Sequence, residues 1–199
     1  MIRSTICSLT VVASGVLTLA SAGCMKGPET APAEASTTQT TTATTTTTEF
    51  TVGDTFGALR ALHMAEVEHG TTAMAKASDP KVKAFAAKVV NDHKARMKKD
   101  DRLMSGLGIS PRQSAISDQI KSVSDAQSSK LDALSGAEFD RAYLDDQISY
   151  YRTALDTFDK NLLPAAKEPK VKAEIMDART KAKDHLNEAQ ELRLSLVEK

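Results

Sequence analysis

Apolar residues recur every three or four positions along four stretches between residue 54 and the end of the chain, which is the spacing of amphipathic helices. The first stretch, 54–77, carries a helical stripe made up of Phe56, Leu59, His63, Glu66, Gly70, Ala73 and Ala77. The second begins at Ser78-Asp79-Pro80, which is typical of a helix N-cap followed by proline, and is predicted to stop before Gly106. The turn between the two stretches is short, so we expect an antiparallel hairpin.

A second hairpin is predicted after a long connection. The segment Gly106-Leu-Gly108-Ile-Ser-Pro111 breaks the chain, and residues 112–135 are rich in serine and carry a thin apolar stripe, which predicts one short accessory helix. The third long helix opens at Ser135, with capping-box spacing to Glu138. The fourth carries a heptad seam of Val171, Ile175, Ala178, Ala182, His185, Ala189, Leu192 and Leu196. Two hairpins joined by one crossover predict an all-α, ferritin-like four-helix bundle over residues 54–199, with the accessory helix in the crossover.

Composition and charge narrow the class of protein. The 199 residues include 26 Lys and Arg against 26 Asp and Glu, so the chain has no net charge that would attract a polyanion. We therefore expect no nucleic-acid partner. Aromatic residues make up only 4% of the chain and Trp is absent, so small and aliphatic side chains must build the core, which favours packed helices over a β-sandwich.

The first residues have the pattern of an export signal. Arg3 supplies a positive start, and the uncharged stretch from Ile6 to Leu19 has the length of a signal-peptide apolar region and is too short to span a membrane. Two cleavage sites fit: Ala20-Ser21-Ala22 suits ordinary signal peptidase, and Ser21-Ala22-Gly23-Cys24 resembles a bacterial lipobox. We assign residues 1–23 to a signal peptide.

Cys24 favours the lipobox. Once Cys7 leaves with the signal, Cys24 has no second cysteine to pair with, and lipidation would give the lone thiol a role. Residues 24–53 are rich in Thr, Ala and Pro, with Thr at ten of the thirteen positions from Ser36 to Thr48, and lack a helical stripe. We expect a lipoprotein of the periplasm or outer membrane, attached to the membrane at Cys24 through a disordered tether over 24–53. A free periplasmic protein is the alternative.

Several short blocks resemble a bacterial family. They are Ala65-Glu66-Val67-Glu68, the Asp79-Pro-Lys-Val-Lys-Ala-Phe-Ala start of the second helix, Asp92-His93, Gly136-Ala-Glu-Phe139-Asp140-Arg-Ala-Tyr143, Gln147 and His185-Leu186. Together they resemble the family called domain of unknown function 4142, over roughly residues 54–196. The resemblance implies an exported, ferritin-like bundle of the outer membrane or periplasm, and it carries no established activity. Where that family usually has a His four residues after the Gln, this chain has Tyr151, which weakens any metal site carried over from the family.

The polar residues that interrupt the apolar seams are the candidate functional residues. Glu66, His93 and His185 occupy seam positions, where a buried polar group without a partner costs about 1 to 3 kcal/mol. Glu66 and His69 lie one helical turn apart, the spacing by which di-iron bundles present two ligands to one metal. The candidate ligands of a transition metal ion (Fe, Zn, Mn or Cu) are therefore Glu66, His69, His93 and His185, with Tyr151 and His63 as weaker candidates.

Three interpretations of these residues remain open. An active di-iron centre would need a second Glu-x-x-His, but Val90 and Ala182 stand three residues before His93 and His185, so we do not expect one. A simpler single-metal or structural site would make this a metal-binding ferritin-like protein with a reduced site, potentially redox-active. In the third interpretation, a buried hydrogen-bond network fixes helix register, formed by Glu66, His93, Asp140, Tyr143 and His185.

The third interpretation leads to the function that we favour from the sequence: an envelope-tethered helical module, noncatalytic, with a binding, structural or stress-related role. The metal-binding protein is the alternative. A charge-rich part of the second helix, from Lys94 to Arg102, mixes five basic residues with Asp100 and Asp101. Mixed signs of this kind are typical of a solvated helix face, so we expect no binding patch there.

Overall fold

The structure is a computed structural model that describes residues 50–196, and all regular elements in that range are helical. In chain order they are α1 (Val52–Lys76), α2 (Pro80–Leu107), α3 (Ala115–Asp132), α4 (Gly136–Thr157), a π-helical turn (Phe158–Leu162), α5 (Leu163–Ala165) and α6 (Pro169–Ser195). The predicted all-α class is confirmed, since no strand occurs within the described range. The predicted signal peptide, Cys24 and the predicted tether up to residue 49 lie outside the described residues.

Four helices begin where the sequence supplies a capping side chain, and one of them is α3, at Ser114. Thr51 and Asp54 form a reciprocal capping box at α1, which therefore starts two residues before the predicted boundary. At α2 and α6, Asp79 and Glu168 each accept a hydrogen bond from the backbone N–H two residues further on, and each stands directly before a proline. The predicted start of the second long helix is confirmed.

Two glycines with left-handed backbone mark helix ends. Gly108, with φ 65°, ends α2, whereas Gly106 stays inside the helix, so α2 is two residues longer than predicted. Gly136, with φ 59°, opens α4 directly after Ser135. The predicted capping box of Ser135 and Glu138 is wrong: the Ser135 side chain makes no capping hydrogen bond, because the left-handed turn at Gly136 sets the direction of the chain at that point.

The long helices pack in two pairs, α1 with α2 and α4 with α6, and the pairs meet through α2–α6 and α1–α4 contacts. Arg60 of α1 is paired with Asp101 of α2, whereas Gly70 lies against Val90, so α1 and α2 run antiparallel. The same order of contacts makes α4 and α6 antiparallel, because Asp145 pairs with Arg193 and Asp159 with Arg179.

The contacts between the pairs are antiparallel as well. Lys88 of α2 is paired with Glu188 of α6, and Arg96 with Glu174. Between α1 and α4, the Tyr150 hydroxyl donates to the Leu62 carbonyl, and Gln147 donates to Glu66. It follows that α1 runs parallel to α6 and α2 runs parallel to α4.

The crossover helix α3 lies on α1 and touches α4. It buries few apolar side chains of its own, chiefly Ile120 and Leu131, so it adds little to a core that is built mainly by the four long helices. None of the helices in the described part of the chain combines the length and the apolar character that crossing a membrane requires.

Gly57 allows the crossover to approach α1 closely. A Cβ atom on Gly57 would lie 1.9 Å from the Arg112 carbonyl oxygen, so no larger residue fits without moving the crossover. Arg112 also donates its backbone N–H to the Gly53 carbonyl at 2.8 Å, and its guanidinium donates to both carboxylate oxygens of Asp54 at 2.7 and 2.6 Å. These contacts fix the start of the crossover at the start of α1.

Candidate functional site

A cluster of polar side chains lies in the middle of the four long helices. Glu66 and His63 come from α1, His93 from α2, Gln147 and Tyr151 from α4, and His185 from α6; we call these six residues the polar cluster. All six are buried, and Glu66 and His185 are 0% exposed. They occupy the inner seam because each replaces an apolar residue in a helical repeat, so the helix that packs its apolar stripe inward carries them along.

Tyr151 is the hub of the polar cluster. Its hydroxyl donates to Glu66 Oε2 at 2.8 Å and lies 3.4 Å from His93 Nε2. The other carboxyl oxygen of Glu66 accepts from the Gln147 amide at 3.4 Å. The Tyr151 ring also stacks on His185, with 5.5 Å between ring centroids. One phenol therefore connects side chains from all of the other three long helices.

The imidazoles continue the cluster across α1, α2 and α6. His63 Nδ1 and His93 Nδ1 share a hydrogen bond of 2.9 Å, in which one ring donates and the other accepts. His63 Nε2 lies 3.3 Å from Asp100 Oδ2, and His185 Nε2 lies 3.3 Å from Asp92 Oδ2. His93 and His185 stack with ring centroids 5.8 Å apart. Two acidic residues of α2 thus border the imidazoles.

Burial dominates the electrostatics of the cluster. Burial raises the pKa of Glu66 from 4.5 to about 8, although the hydrogen bonds from Tyr151 and Gln147 oppose this shift. Burial also lowers the pKa of His185 to about 4 and lowers that of His93 well below its usual value, with His63 and His185 as further causes for His93. The pKa of Tyr151 is raised well above its usual value by burial and by the nearby Glu66. At neutral pH these four groups are therefore uncharged.

The structure brings together five of the six residues that the sequence proposed as metal ligands: His63, Glu66, His93, Tyr151 and His185. His69 is the exception. Its Nε2 lies 3.2 Å from both the carbonyl oxygen and the hydroxyl of Ser124, so it binds the crossover helix α3 and not the cluster. The expected convergence of Glu66 and His69 on one metal is therefore not formed.

Two members of the predicted hydrogen-bond network also lie elsewhere. Asp140 accepts hydrogen bonds from the Ser78 backbone and hydroxyl and from the Asp79 backbone, so it caps the start of α2 from α4. Tyr143 is buried, but its hydroxyl makes no hydrogen bond in the described structure. The hydrogen-bond network contains Glu66 and His93 as predicted, and Tyr151 and Gln147 take the places expected for Asp140 and Tyr143. His185 joins the cluster only by stacking on His93 and Tyr151, since neither of its ring nitrogens makes a hydrogen bond.

The prediction that the charged part of α2 is a solvated face is wrong for two of its residues, Arg96 and Asp100. Asp100 is buried beside His63, and Arg96 is buried and donates to Glu174 Oε1 at 3.1 Å and to the Asp177 carbonyl at 2.9 Å. Both follow His93 at spacings of three and seven residues, which places them on the same helical stripe. That spacing is the signal that would have found them.

The polar cluster has donor atoms that suit a metal ion, but these atoms are not arranged around one common point. Within residues 50–196 no three side chains of His, Cys, Asp or Glu are grouped so that they hold a metal ion. Glu66 is bonded to a phenol and an amide, and His93 is bonded to a second imidazole. The oxygens of Glu66 and the Nδ1 atoms of His63 and His93 are therefore engaged in hydrogen bonds, whereas His63 Nε2 and both ring nitrogens of His185 are not.

These observations define a class: an all-helical protein with a closed polar cluster in its core. The family model described as "Domain of unknown function (DUF4142)" matches residues 32–192, and the chain therefore belongs to the DUF4142 family. The resemblance proposed from the sequence is confirmed. No curated protein and no solved structure shows significant similarity to the chain.

The buried carboxyl group predicts a specific dependence of stability on pH. Between pH 4.5 and about 8 the folded protein keeps the Glu66 proton that the unfolded chain has lost, so the contribution of Glu66 to the free energy of unfolding falls as pH rises, by about 1.4 kcal/mol per pH unit. The lowered pKa values of His69, His93 and His185 act in the opposite direction, and they still do so above pH 6.5, where part of the unfolded chain keeps protonated histidines. The effect of Glu66 is therefore read from the difference between the unmutated protein and a Glu66 variant, in which the histidine contributions cancel.

Denaturant unfolding at pH 6.5, 7.0 and 7.5 at one ionic strength measures this slope. In Glu66→Gln the histidines still titrate but position 66 does not, so we expect the free energy of unfolding of the unmutated protein, minus that of Glu66→Gln, to fall by about 1 kcal/mol per pH unit over this window. A slope equal to that of the unmutated protein would show that Glu66 titrates normally and is not the cause.

Proposed function

We propose that this chain is an exported, membrane-tethered ferritin-like module that acts without a catalytic centre, and that the polar cluster serves its structure. The observation that carries the proposal is the closure of the cluster. The Tyr151 hydroxyl, the Glu66 carboxyl and the His93 imidazole are hydrogen-bonded to one another or to Gln147 and His63, all inside the helices. A substrate would find neither an open position nor exposed reactive atoms.

The helix directions support the ferritin-like arrangement. In a bundle of two antiparallel hairpins joined by one long crossover, the second and third long helices run parallel. The contacts of this chain give that pattern, since α2 is antiparallel to α1 and to α6, and α4 is antiparallel to the same two helices. The accessory helix α3 lies in the crossover between α2 and α4.

The polar cluster supports a role in helix register. The helices α1, α2 and α4 contribute buried side chains that are hydrogen-bonded to one another, and a shift of any of the three by one turn would move its side chains by about 5.4 Å, beyond hydrogen-bond reach. The groups left behind would be buried without partners, at about 1 to 3 kcal/mol each. A purely apolar seam would not discriminate so strongly between registers.

Tyr151→Phe tests this structural role, with Tyr143→Phe as the matched control. Both tyrosines are fully buried on α4, but only the Tyr151 hydroxyl has hydrogen-bond partners. We expect Tyr151→Phe to lower the free energy of unfolding by about 1 to 3 kcal/mol, and Tyr143→Phe to leave it nearly unchanged. Denaturant unfolding at pH 7 gives both values, and equal values for the two variants would contradict the proposed role of the cluster.

We propose the cellular localisation from the sequence of the N-terminal residues. The charged start, the short apolar stretch and the lone Cys24 support export followed by lipidation, and residues 24–53 would then serve as the tether between a membrane and the helices. The membrane is the partner that this proposal names, through the lipid at Cys24.

Intact-protein mass spectrometry of the mature chain tests the proposed export and lipidation. We expect a chain that begins at Cys24 and carries the added mass of acyl groups, and we expect Cys24→Ser to remove that mass. An unacylated chain that starts at Gly23 would contradict lipidation and leave a free periplasmic protein.

Metal binding is the second candidate function, and one observation favours it. His63 Nε2 and both ring nitrogens of His185 are buried and make no hydrogen bond, although His63 and His185 each face an acidic residue of α2. Imidazole nitrogens with carboxylate or phenol oxygen nearby are a donor set that Zn, Fe, Mn and Cu accept. Loading a metal would require His185 to turn a nitrogen toward Glu66 or His93 and would break part of the closed cluster.

Elemental analysis of the purified mature protein, grown in defined metals, separates the two candidates. If the protein is the noncatalytic module, we expect the metal content to be far below one ion per chain. His185→Ala and His69→Ala are a matched pair, because both imidazoles are buried but only His185 lies in the cluster. One metal per chain that is lost in His185→Ala and kept in His69→Ala would overturn the first proposal in favour of the second.

A further inference from the structure

The charged side chains are divided unequally along the four long helices, with the polar cluster as the midpoint. The crossover can be divided at the same level, because α3 runs beside α1 in the same direction: Arg112 lies at Gly53, and Ser124 lies at His69. The half that contains the start of α1, which we call the tether half, comprises residues 50–65, 94–123 and 152–184, and the opposite half comprises residues 67–92, 124–151 and 185–196. The tether half contains 16 Lys and Arg against 10 Asp and Glu, whereas the opposite half contains 7 against 11. The zero net charge of the chain therefore conceals a positive half and a negative half.

Unpaired positive charge is concentrated on the outer face of α2. Lys94, Lys98 and Arg102 follow one another at intervals of four residues, so they form a line along one side of the helix, and all three are exposed. Within residues 50–196 none of their side chains makes a hydrogen bond or an ion pair. We call these three residues the basic face.

The acidic residues in this part of α2 do not neutralise the basic face. Asp100 is turned inward, where it is buried 3.3 Å from His63 Nε2, and Asp101 is paired with Arg60 of α1. The signs that alternate along the sequence are therefore separated in the structure, because the carboxylates are directed at neighbouring helices and the three cations are directed at solvent. This separation removes the reason for expecting no binding patch on this helix.

The basic face lies at the end of the helices where the chain leads back toward Cys24. The first long helix begins at Val52, and the ion pair between Arg60 and Asp101 sets the first turns of α1 against the last turns of α2. The residues that precede α1 therefore join the helices in the half that carries the basic face. A membrane attachment through those residues would hold the positive half, and not the negative half, close to the lipid.

We propose that the basic face docks on the headgroups of anionic phospholipids, so that the tether half faces the membrane and the opposite half faces away from it. This inference rests on the membrane tether of the proposed function. Each Lys or Arg near an anionic bilayer strengthens binding about fivefold, and the attraction acts over about 10 Å at 0.1 M salt. The same surface repels the opposite half, so the separation of charge also sets the orientation. A lipid anchor together with a basic surface holds a protein on a membrane more firmly than either one alone.

Co-sedimentation with vesicles tests the docking without the lipid anchor. The mature chain carrying Cys24→Ser is mixed with vesicles of phosphatidylcholine alone, or of equal parts of phosphatidylcholine and phosphatidylglycerol. We expect binding to the vesicles that contain phosphatidylglycerol, loss of that binding in high salt, and no binding to phosphatidylcholine alone. Equal binding to the two kinds of vesicle, or none to either, would overturn the proposal.

Two triple variants of equal net charge test which cations are responsible. One carries Lys94→Gln, Lys98→Gln and Arg102→Gln, and the other removes three exposed cations of the opposite half through Lys81→Gln, Lys83→Gln and Arg141→Gln. We expect the first variant to bind phosphatidylglycerol vesicles at least about tenfold more weakly than the unmutated chain, and the second to bind nearly as well as that chain. Equal weakening in both variants would show that net charge, and not the basic face, drives binding.

A pair of single-cysteine variants tests the orientation. In the chain with Cys24→Ser, Ser105→Cys places a thiol at the end of α2 beside the basic face, and Ala133→Cys places one in the opposite half; both positions are exposed. Each thiol carries a spin label, and a water-soluble nickel chelate reports how accessible the label is. On phosphatidylglycerol vesicles we expect the label at 105 to lose access to the chelate and the label at 133 to keep it. Protection of 133, or equal protection of both labels, would contradict the orientation.

These experiments and the test of the tether fail independently. The vesicle experiments use a chain that cannot be acylated at residue 24, so an absence of binding would remove the basic face as a lipid-binding surface and leave the acylation of Cys24 to mass spectrometry. A natural chain without acyl groups would remove the tether, whereas the binding of the basic face to phosphatidylglycerol would stand.

Discussion

The hydrogen bond from Tyr151 to Glu66 is the interaction on which the core depends. Glu66 is 0% exposed, and no cation lies among the groups that lower its pKa; hydrogen bonds from Tyr151 and Gln147 are what oppose burial. An ionised carboxylate in that position would be very costly, so the group keeps its proton and still needs partners for its oxygens. Both partners come from α4, and the contact therefore joins α1 to α4 through the centre of the fold.

A second buried carboxyl group shows the other solution to the same problem. Glu174 is 3% exposed, yet it contacts Arg96 at 3.1 Å and Lys99 at 2.6 Å, and Lys99 is half exposed. At this edge of the helices the carboxylate of Glu174 is paired with two cations, which oppose the rise in its pKa that burial causes, whereas the central Glu66 has only neutral hydrogen-bond donors. Depth in the fold thus decides whether a buried acid is paired with charge or with neutral hydrogen-bond donors.

Much of the fold could be predicted because helical periodicity is a local property. The seams of α1, α2 and α6 placed Glu66, His93 and His185 inside, and the Asp79-Pro80 pair placed the start of α2. The environment of His69 could not be predicted, because its partner Ser124 lies on the crossover helix, whose packing depends on the approach of Arg112 to Gly57. No spacing within α1 carries that information.

The prediction that Arg96 and Asp100 are exposed is wrong for a different reason. The charges of these side chains predict exposure, whereas the helical repeat that correctly places His93 inside also runs through both residues. Periodicity was the better guide there, because a charged side chain can be buried when its partner arrives from another helix, as Glu174 does for Arg96. Which partner arrives is decided by tertiary packing and is invisible in one helix.

Position 151 connects the family to the chemistry of this particular chain. The resemblance to DUF4142 implies that a His is usual four residues after the Gln, and the structure places that position at the centre of the polar cluster. An imidazole there would offer a second nitrogen to a metal or a proton. A phenol offers one hydroxyl, which Glu66 and His93 already contact. The exchange of imidazole for phenol therefore places a hydroxyl between the Glu66 carboxyl and the His93 imidazole, where it donates a hydrogen bond to Glu66 and joins α4 to α1.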